Sequence, residues 1–295
     1  MKTPFAAMLL FLGVSAYAAN APDPLARWIV VDGIRVRYLE TGTPGTGGPV
    51  LLLLHGWAGS AEDFRLLLAR LPPAWRAIAV DLPGCGMSDK PDAAYDLEFF
   101  MAFLRSFTVA LGLDRFVLVG HSMGGQFAIH IATRWPDQVE KLILVDPYGM
   151  NGEGSWARGL AGLGWLVDVA FALDNRLFIE WALRANVLYK PSPQTLRAAA
   201  DSASWILAPG GPRALARITR NVIGPARVDD LLPLIRQDTL LVWGDHDRLL
   251  EPVWAERFMA LLPHARLEFV VDAGHMPMVD QPDATAALVE GFVGG

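Results

Sequence analysis

One serine, one histidine and a small set of carboxylates in this chain stand at positions where nucleophilic chemistry could be built. Gly120-His121-Ser122-Met123-Gly124-Gly125 sets the serine among glycines. The residues before it, Arg115 to Gly120, form a short apolar run rich in β-branched side chains and read as a buried strand. The residues after it, Gly125 to Arg134, read as a helix stopped by Trp135-Pro136. A serine on so sharp a strand-to-helix turn is held in a strained backbone with its hydroxyl pointing away from the sheet. A hydroxyl is a weak nucleophile until a base takes its proton and a carboxylate orients that base. Downstream, the strand Thr239–Gly244 delivers Asp245-His246-Asp247, and the strand Arg266–Val271 delivers Asp272-Ala273-Gly274-His275. Asp146 follows a further strand, Val139–Val145, and is another candidate carboxylate. Every candidate lies just past the C-terminal end of a strand, where open α/β sheets place their sites.

The elements that must position these residues alternate along the chain. Trp28 to Leu39 reads as two strands around an Asp32-Gly33 hairpin turn. Val50–Leu54 is continuously apolar, as expected for a parallel strand covered on both faces, and it leads into His55-Gly56-Trp57. A helix over Ala61–Leu71, a strand over Arg76–Asp81 and a helix over Asp96–Leu111 follow, and strand and helix then alternate to Phe292. This pattern predicts an α/β fold with one doubly wound, mostly parallel sheet. The alternation breaks between residues 150 and 228, where four helical segments are expected near Ser155–Leu173, Asn175–Leu188, Ser192–Leu207 and Pro212–Ile223. Ser192-Pro193 reads as an N-cap followed by proline in the first helical position.

His55-Gly56-Trp57, Asp81-Leu-Pro-Gly-Cys-Gly-Met-Ser88, Gly120-His-Ser-Met-Gly-Gly125, Gly244-Asp-His-Asp247 and Gly274-His275 together resemble the α/β-hydrolase superfamily. The resemblance covers nearly all of the chain after its first residues. It implies Ser122 as nucleophile, Asp247 as acid and His275 as base, in the family's chain order of serine, acid, histidine. Asp245 is the weaker choice, because the family usually places its acid at the position of Asp247. The resemblance further implies an oxyanion hole made by the backbone N–H groups of Trp57 and Met123, each worth about 3 kcal/mol of barrier. It makes residues 150–228 an inserted helical cap (lid) over a core of residues 19–149 and 229–295. The expected reaction is carboxylic-ester hydrolysis through an acyl-enzyme, with no cofactor and no metal.

The cap is rich in large apolar residues, among them Trp156, Trp165, Phe171, Phe178, Trp181 and Trp205. Packing explains any one of them. The alternative is that some line an apolar acyl or alcohol pocket, or give the cap a transient lipid-facing surface. Rival chemistries are a carbon–carbon bond hydrolase or an acyl transferase or perhydrolase on the same triad. A different class is a ligand-binding protein on the same scaffold without turnover. Dehalogenases and epoxide hydrolases of this fold carry aspartate at the elbow, so Ser122 argues against them.

The chain of 295 residues is 53% hydrophobic and 19% charged, enough for a large core. A formal charge of −6 without a basic cluster argues against a nucleic-acid partner. Lys2, the apolar stretch Phe5–Val14 and the small-x-small pattern Ala16-Tyr17-Ala18 read as a signal peptide over residues 1–18, so export to the periplasm or the medium is expected. The one cysteine, Cys85, excludes an intramolecular disulfide and reads as a packed side chain. His55 reads as structural, shaping the loop that carries Trp57, whereas the chemistry alone gives His121 no role.

Overall fold

A computed structural model describes residues 23–43, 45, 47–152, 188–190, 192–225 and 227–295. The expected signal peptide, the expected helix at Ser155–Leu173 and, but for Leu188, the expected helix at Asn175–Leu188 lie outside these residues.

The described residues form one eight-stranded sheet. Its strands are β1 (Ala26–Val31), β2 (Ile34–Thr41), β3 (Val50–Leu54), β4 (Arg76–Val80), β5 (Phe116–His121), β6 (Val139–Val145), β7 (Asp238–Gly244) and β8 (Ala265–Val270). They lie in the order β1-β2-β4-β3-β5-β6-β7-β8. The β1–β2 hairpin is antiparallel, β2 runs antiparallel to β4, and all later pairings are parallel. Asp32 and Gly33 turn the hairpin with φ of 50° and 79°, the left-handed pair that matches strand twist. The mostly parallel sheet expected from the sequence is therefore the observed fold.

Continuous apolar strands are stable only when both faces are covered. Leu52 and Leu54 of β3 pack in one layer with Phe100, Phe107 and Phe127, and Leu51 and Leu53 pack in the opposite layer with Phe64, Leu67 and Val289. The first layer rests on helices α1 (Leu97–Ala110) and α2 (Met123–Arg134). Helix α1 starts where Asp96 accepts a hydrogen bond from the Phe99 amide at 2.9 Å, and it turns Phe100, Phe103, Leu104 and Phe107 inward.

The order of the strands fixes where a site can form. From the central β3 the chain crosses to β4 on one side, and it then returns to place β5 on the other. The crevice beyond the carboxyl ends of β3 and β5 is the switch point of the sheet. His55-Gly56-Trp57 and Ser122 emerge there.

Of the segment between 150 and 228, the described part contains helices α3 (Pro193–Ile206) and α4 (Gly211–Ile218). Both lie where the sequence predicts helix. The expected single helix over Pro212–Ile223 instead changes character at Thr219, and Thr219–Ile223 is a π-helical turn. The Thr219 hydroxyl donates to the Leu215 carbonyl at 2.7 Å, and the Gly224 amide reaches back to the Thr219 carbonyl. A side-chain bond of this kind competes with the regular ladder and widens the turn. The chain ends with helices α5 (Val253–Leu261) and α6 (Pro282–Val293). Among the described residues, no helix is long and apolar enough to cross a membrane.

Candidate active site

Ser122 occupies the turn between β5 and α2 with φ 51° and ψ −117°, a conformation that side chains rarely adopt. Three backbone bonds over-determine it. The Ser122 amide donates to Val145 at 3.0 Å, and its carbonyl accepts from Gln126 and Tyr148 at 3.1 Å each. The turn is too tight for a side chain at Gly120, where an added Cβ would come within 2.4 Å of the Gly124 carbonyl oxygen. A Cβ added to Gly56 would lie 3.1 Å from Cβ of Ser122, so the loop after β3 runs against the serine. Met123 is the first residue of α2, where backbone N–H groups lack helical partners and the helix dipole favours negative charge.

The loop carrying Trp57 is held from below. His55 donates from Nδ1 to the Gly56 carbonyl at 2.8 Å, and its Nε2 accepts the Leu82 amide at 3.2 Å. Complete burial lowers its pKa, consistent with the neutral ring these bonds need. The structural role expected of His55 is therefore what the structure contains. Asp81 accepts from the amides of Ala61 at 2.7 Å and Met87 at 2.9 Å, and the buried Arg37 guanidinium pairs with it at 3.3 Å. Arg37 also bonds Glu62, and Glu62 bonds Arg65. At the loop's end, Asp63 accepts from the Ser60 amide at 3.2 Å while the Ser60 hydroxyl accepts from Glu62 at 3.3 Å, a reciprocal cap. Burial pushes the Asp63 carboxyl up to about 7. Above the loop, Trp57 and Ala58 meet Ile206 of α3 and Leu215 of α4 in an apolar cluster, and the Trp57 indole N–H donates to the Thr219 hydroxyl at 2.9 Å.

Asp247 and His275 are both buried, and His275 Nδ1 donates to Asp247 Oδ2 at 2.7 Å. The other Asp247 oxygen accepts from the amides of Leu249 at 2.7 Å and Leu250 at 2.9 Å. With Nδ1 carrying the hydrogen, His275 keeps the Nε2 lone pair for another proton. His275 is tied to the serine turn through His121, whose Nε2 donates to the His275 carbonyl at 2.7 Å with the two rings 4.9 Å apart. Burial, reinforced by the neighbouring His275, keeps His121 well below the ordinary histidine value. The ring is thus a neutral spacer joining the Ser122 turn to the His275 loop.

The other candidate carboxylates fall elsewhere. Asp245 accepts the Ala273 amide at 3.2 Å, while His246 is half-exposed and stacks on Tyr189 at 4.1 Å. Asp272 pairs with Lys190 at 2.9 Å. Asp146 is fully buried, and one of its oxygens accepts the Gly244 amide at 2.9 Å. One ligand atom each from Asp146, Asp247 and His275 lies within 4.8 Å of the others, the separation a metal site would need. The Asp247–His275 hydrogen bond and the two amides on Asp247 already account for that pair without an ion. Cys85 is buried and its thiol is pushed up to about 12 by desolvation, as expected of a packed cysteine.

Two contributors to this geometry carry no mark in the sequence. One is His121. The other is Asp280, whose Oδ2 accepts the Gly274 amide at 2.8 Å and the Tyr189 amide at 3.1 Å, fastening the His275 loop to Tyr189 within the 150–228 segment.

Residues 51–288 match the alpha/beta hydrolase family. Among curated proteins, the chain is 30% identical over 287 residues to Lipase 1 of Psychrobacter immobilis, covering 94% of this chain and 86% of that one. It is 31% identical over 256 residues to the pimeloyl-acyl-carrier-protein methyl ester esterase of Neisseria meningitidis, covering 82% and 92%. Among solved structures, a bacterial membrane phospholipase A superimposes with a TM-score of 0.76 at 29% identity, covering 92% of this chain and 86% of that one. A thermophilic esterase of Thermogutta terrifontis has the same fold, with a TM-score of 0.76 at 24% identity and 90% and 97% coverage. The chain belongs to the alpha/beta hydrolase family and is a hydrolase.

Proposed function

We propose that this hydrolase cleaves carboxylic esters through an acyl-enzyme on Ser122, with an apolar acyl or alcohol group in its substrate. The observation that carries this reading is the buried 2.7 Å bond from His275 Nδ1 to Asp247, joined through His121 to a serine held at φ 51°. Lipase and esterase relatives along nearly the whole chain support it.

In this mechanism His275 Nε2 takes the Ser122 proton as Oγ attacks the ester carbonyl. Asp247 holds the imidazole in the required tautomer and stabilises its cation. The backbone N–H groups of Trp57 and Met123 receive the developing oxyanion. His275 then returns the proton to the leaving alcohol, and a water activated by the same imidazole releases the acyl group. The preference for an apolar group draws support from the cluster of Trp57, Ala58, Ile206 and Leu215 directly over the oxyanion loop. We further infer that residues 150–228 act as a lid and that residues 1–18 direct export, so N-terminal sequencing of exported protein should begin at Ala19.

The test is hydrolysis of p-nitrophenyl esters from acetate to palmitate by the wild type and Ser122→Ala. Turnover lost in the variant, at unchanged urea stability, is the expected result. Absence of turnover on every ester, or equal turnover by the variant, would overturn the reading.

A further inference from the structure

Two carboxyl groups meet at the base of the His275 side chain, and the proposed mechanism uses only one. Asp146 lies one residue beyond β6 with φ 41°, and its amide is tied to Val242 at 3.0 Å. Its side chain is completely buried. The two carboxyls are unequally supplied with donors. Among the described residues, Asp247 receives His275 Nδ1–H and the amides of Leu249 and Leu250, whereas Asp146 receives only the Gly244 amide. The second Asp146 oxygen, Oδ2, is enclosed and meets no donor among the described residues. An ionised oxygen in that position would be desolvated beside another negative charge, and two such carboxylates cannot both stay charged. A hydroxyl there faces an acceptor, because Asp146, Asp247 and His275 each bring a ligand atom within 4.8 Å of the others and the two carboxyls are placed to share a side-chain hydrogen bond.

We propose that Asp146 is a positioning residue held as a neutral carboxylic acid, donating its proton to Asp247 and so keeping Asp247 ionised and aligned on His275. This rests on the catalytic roles proposed above for Asp247 and His275. The uneven donor count decides which of the pair keeps the proton. Burial, the Asp247 charge and a hydrogen bond between the two carboxyls all push Asp146 well above the ordinary aspartate range, against the opposing Gly244 amide. The titratable groups around it are Asp247 on the β7 loop, His275 and Asp280 beyond β8, and the neutral His121 at the end of the adjoining β5.

The experiment compares Asp146→Asn and Asp146→Val with the wild type in two readouts. Asparagine offers an acceptor for Gly244 and an N–H for Asp247, so it rescues the arrangement. It should keep kcat/KM within about threefold and leave the acid limb of the pH profile in place. Valine removes the donor to a charged acceptor, and the acid limb should move up by about one to two pH units. An ionised Asp146 would give the opposite: both variants would remove a repelling charge and move the limb down together. The second readout is urea unfolding of Asp146→Asn and wild type across pH, which needs no turnover. A carboxyl neutral in the fold and ionised in the unfolded chain makes wild-type stability fall as pH rises above 3.8. The ratio of the folding constants, variant over wild type, should therefore climb about tenfold per pH unit above that value until Asp146 itself ionises in the fold. A flat ratio would overturn the proposal even if Asp146→Val failed to fold. If no ester is turned over, the catalytic reading fails, and the unfolding ratio still decides the protonation state of Asp146.

Discussion

Replacing Asp247 by asparagine tests the geometry around His275 with a change of one atom. The amides of Leu249 and Leu250 both point at Asp247 Oδ1, at 2.7 and 2.9 Å, so the asparagine must put its carbonyl oxygen there. Its NH2 group is then forced into the place of Oδ2, 2.7 Å from His275 Nδ1. A donor at that position requires Nδ1 to present its lone pair, which moves the ring hydrogen to Nε2. An imidazole with hydrogen on Nε2 cannot accept the Ser122 proton, and the charge that stabilised the imidazolium is also gone. The expected loss in kcat is ~10⁴-fold, equivalent to about 5.5 kcal/mol of barrier. The fold should be spared, because each displaced contact has a replacement. The assay is steady-state hydrolysis of a short p-nitrophenyl ester, with urea unfolding as the stability control. A variant within tenfold of wild-type kcat would refute the reasoning.

Three further outcomes are expected. Asp63 is lifted by burial to about 7 in the fold from 3.8, so it binds its proton more tightly folded than unfolded. Stability should therefore fall by about 1.4 kcal/mol per pH unit as pH rises across that window. Asp63→Asn should reduce the measured slope by that amount in urea unfolding from pH 4 to 7; an unchanged slope would refute the assignment. Phe100→Ala should cost about 3–5 kcal/mol in urea unfolding, because Phe100 is fully buried and packs on Phe127 with centroids 4.9 Å apart. Asp280→Ala strands the Gly274 and Tyr189 amides, each worth about 1–3 kcal/mol if left buried without water. Loosening of the His275 loop should lower kcat more than it raises KM, whereas kinetics unchanged from wild type would show that the loop holds itself.

Much of the frame was legible because parallel strands buried on both faces must be continuously apolar. Val50–Leu54, residues 142–145 and residues 116–119 announce themselves in that way, and the glycines around Ser122 announce a turn that admits no side chain. The family resemblance pointed to Asp247 and His275, and both stand within a few residues of a strand's end, a position that Asp146 and Asp245 share. What the sequence withheld are contacts made across long stretches of chain by groups with no distinctive neighbours. His121 supports His275 through a backbone carbonyl 154 residues away, and no pattern of residue types encodes such a bond. The Arg37–Asp81 pair joins β2 to the turn after β4 across 44 residues, so it too is invisible until the sheet is assembled. The π-helical turn at Thr219 depends on one hydroxyl choosing the Leu215 carbonyl, a local competition that helical periodicity does not record. Asp146 stood in the sequence as a third candidate for the acid, behind Asp247. Its unequal share of donors, which no residue pattern records, appears only once the sheet is assembled.

The most direct measurement on the role of Ser122 is covalent labelling with a fluorophosphonate, followed by peptide mass spectrometry. An activated serine displaces fluoride and keeps the phosphonyl group. The expected result is one adduct on the peptide carrying Ser122, absent from Ser122→Ala and strongly reduced in His275→Ala. An unlabelled wild-type protein, or an adduct on another residue that persists in Ser122→Ala, would contradict the assignment of Ser122 as the nucleophile.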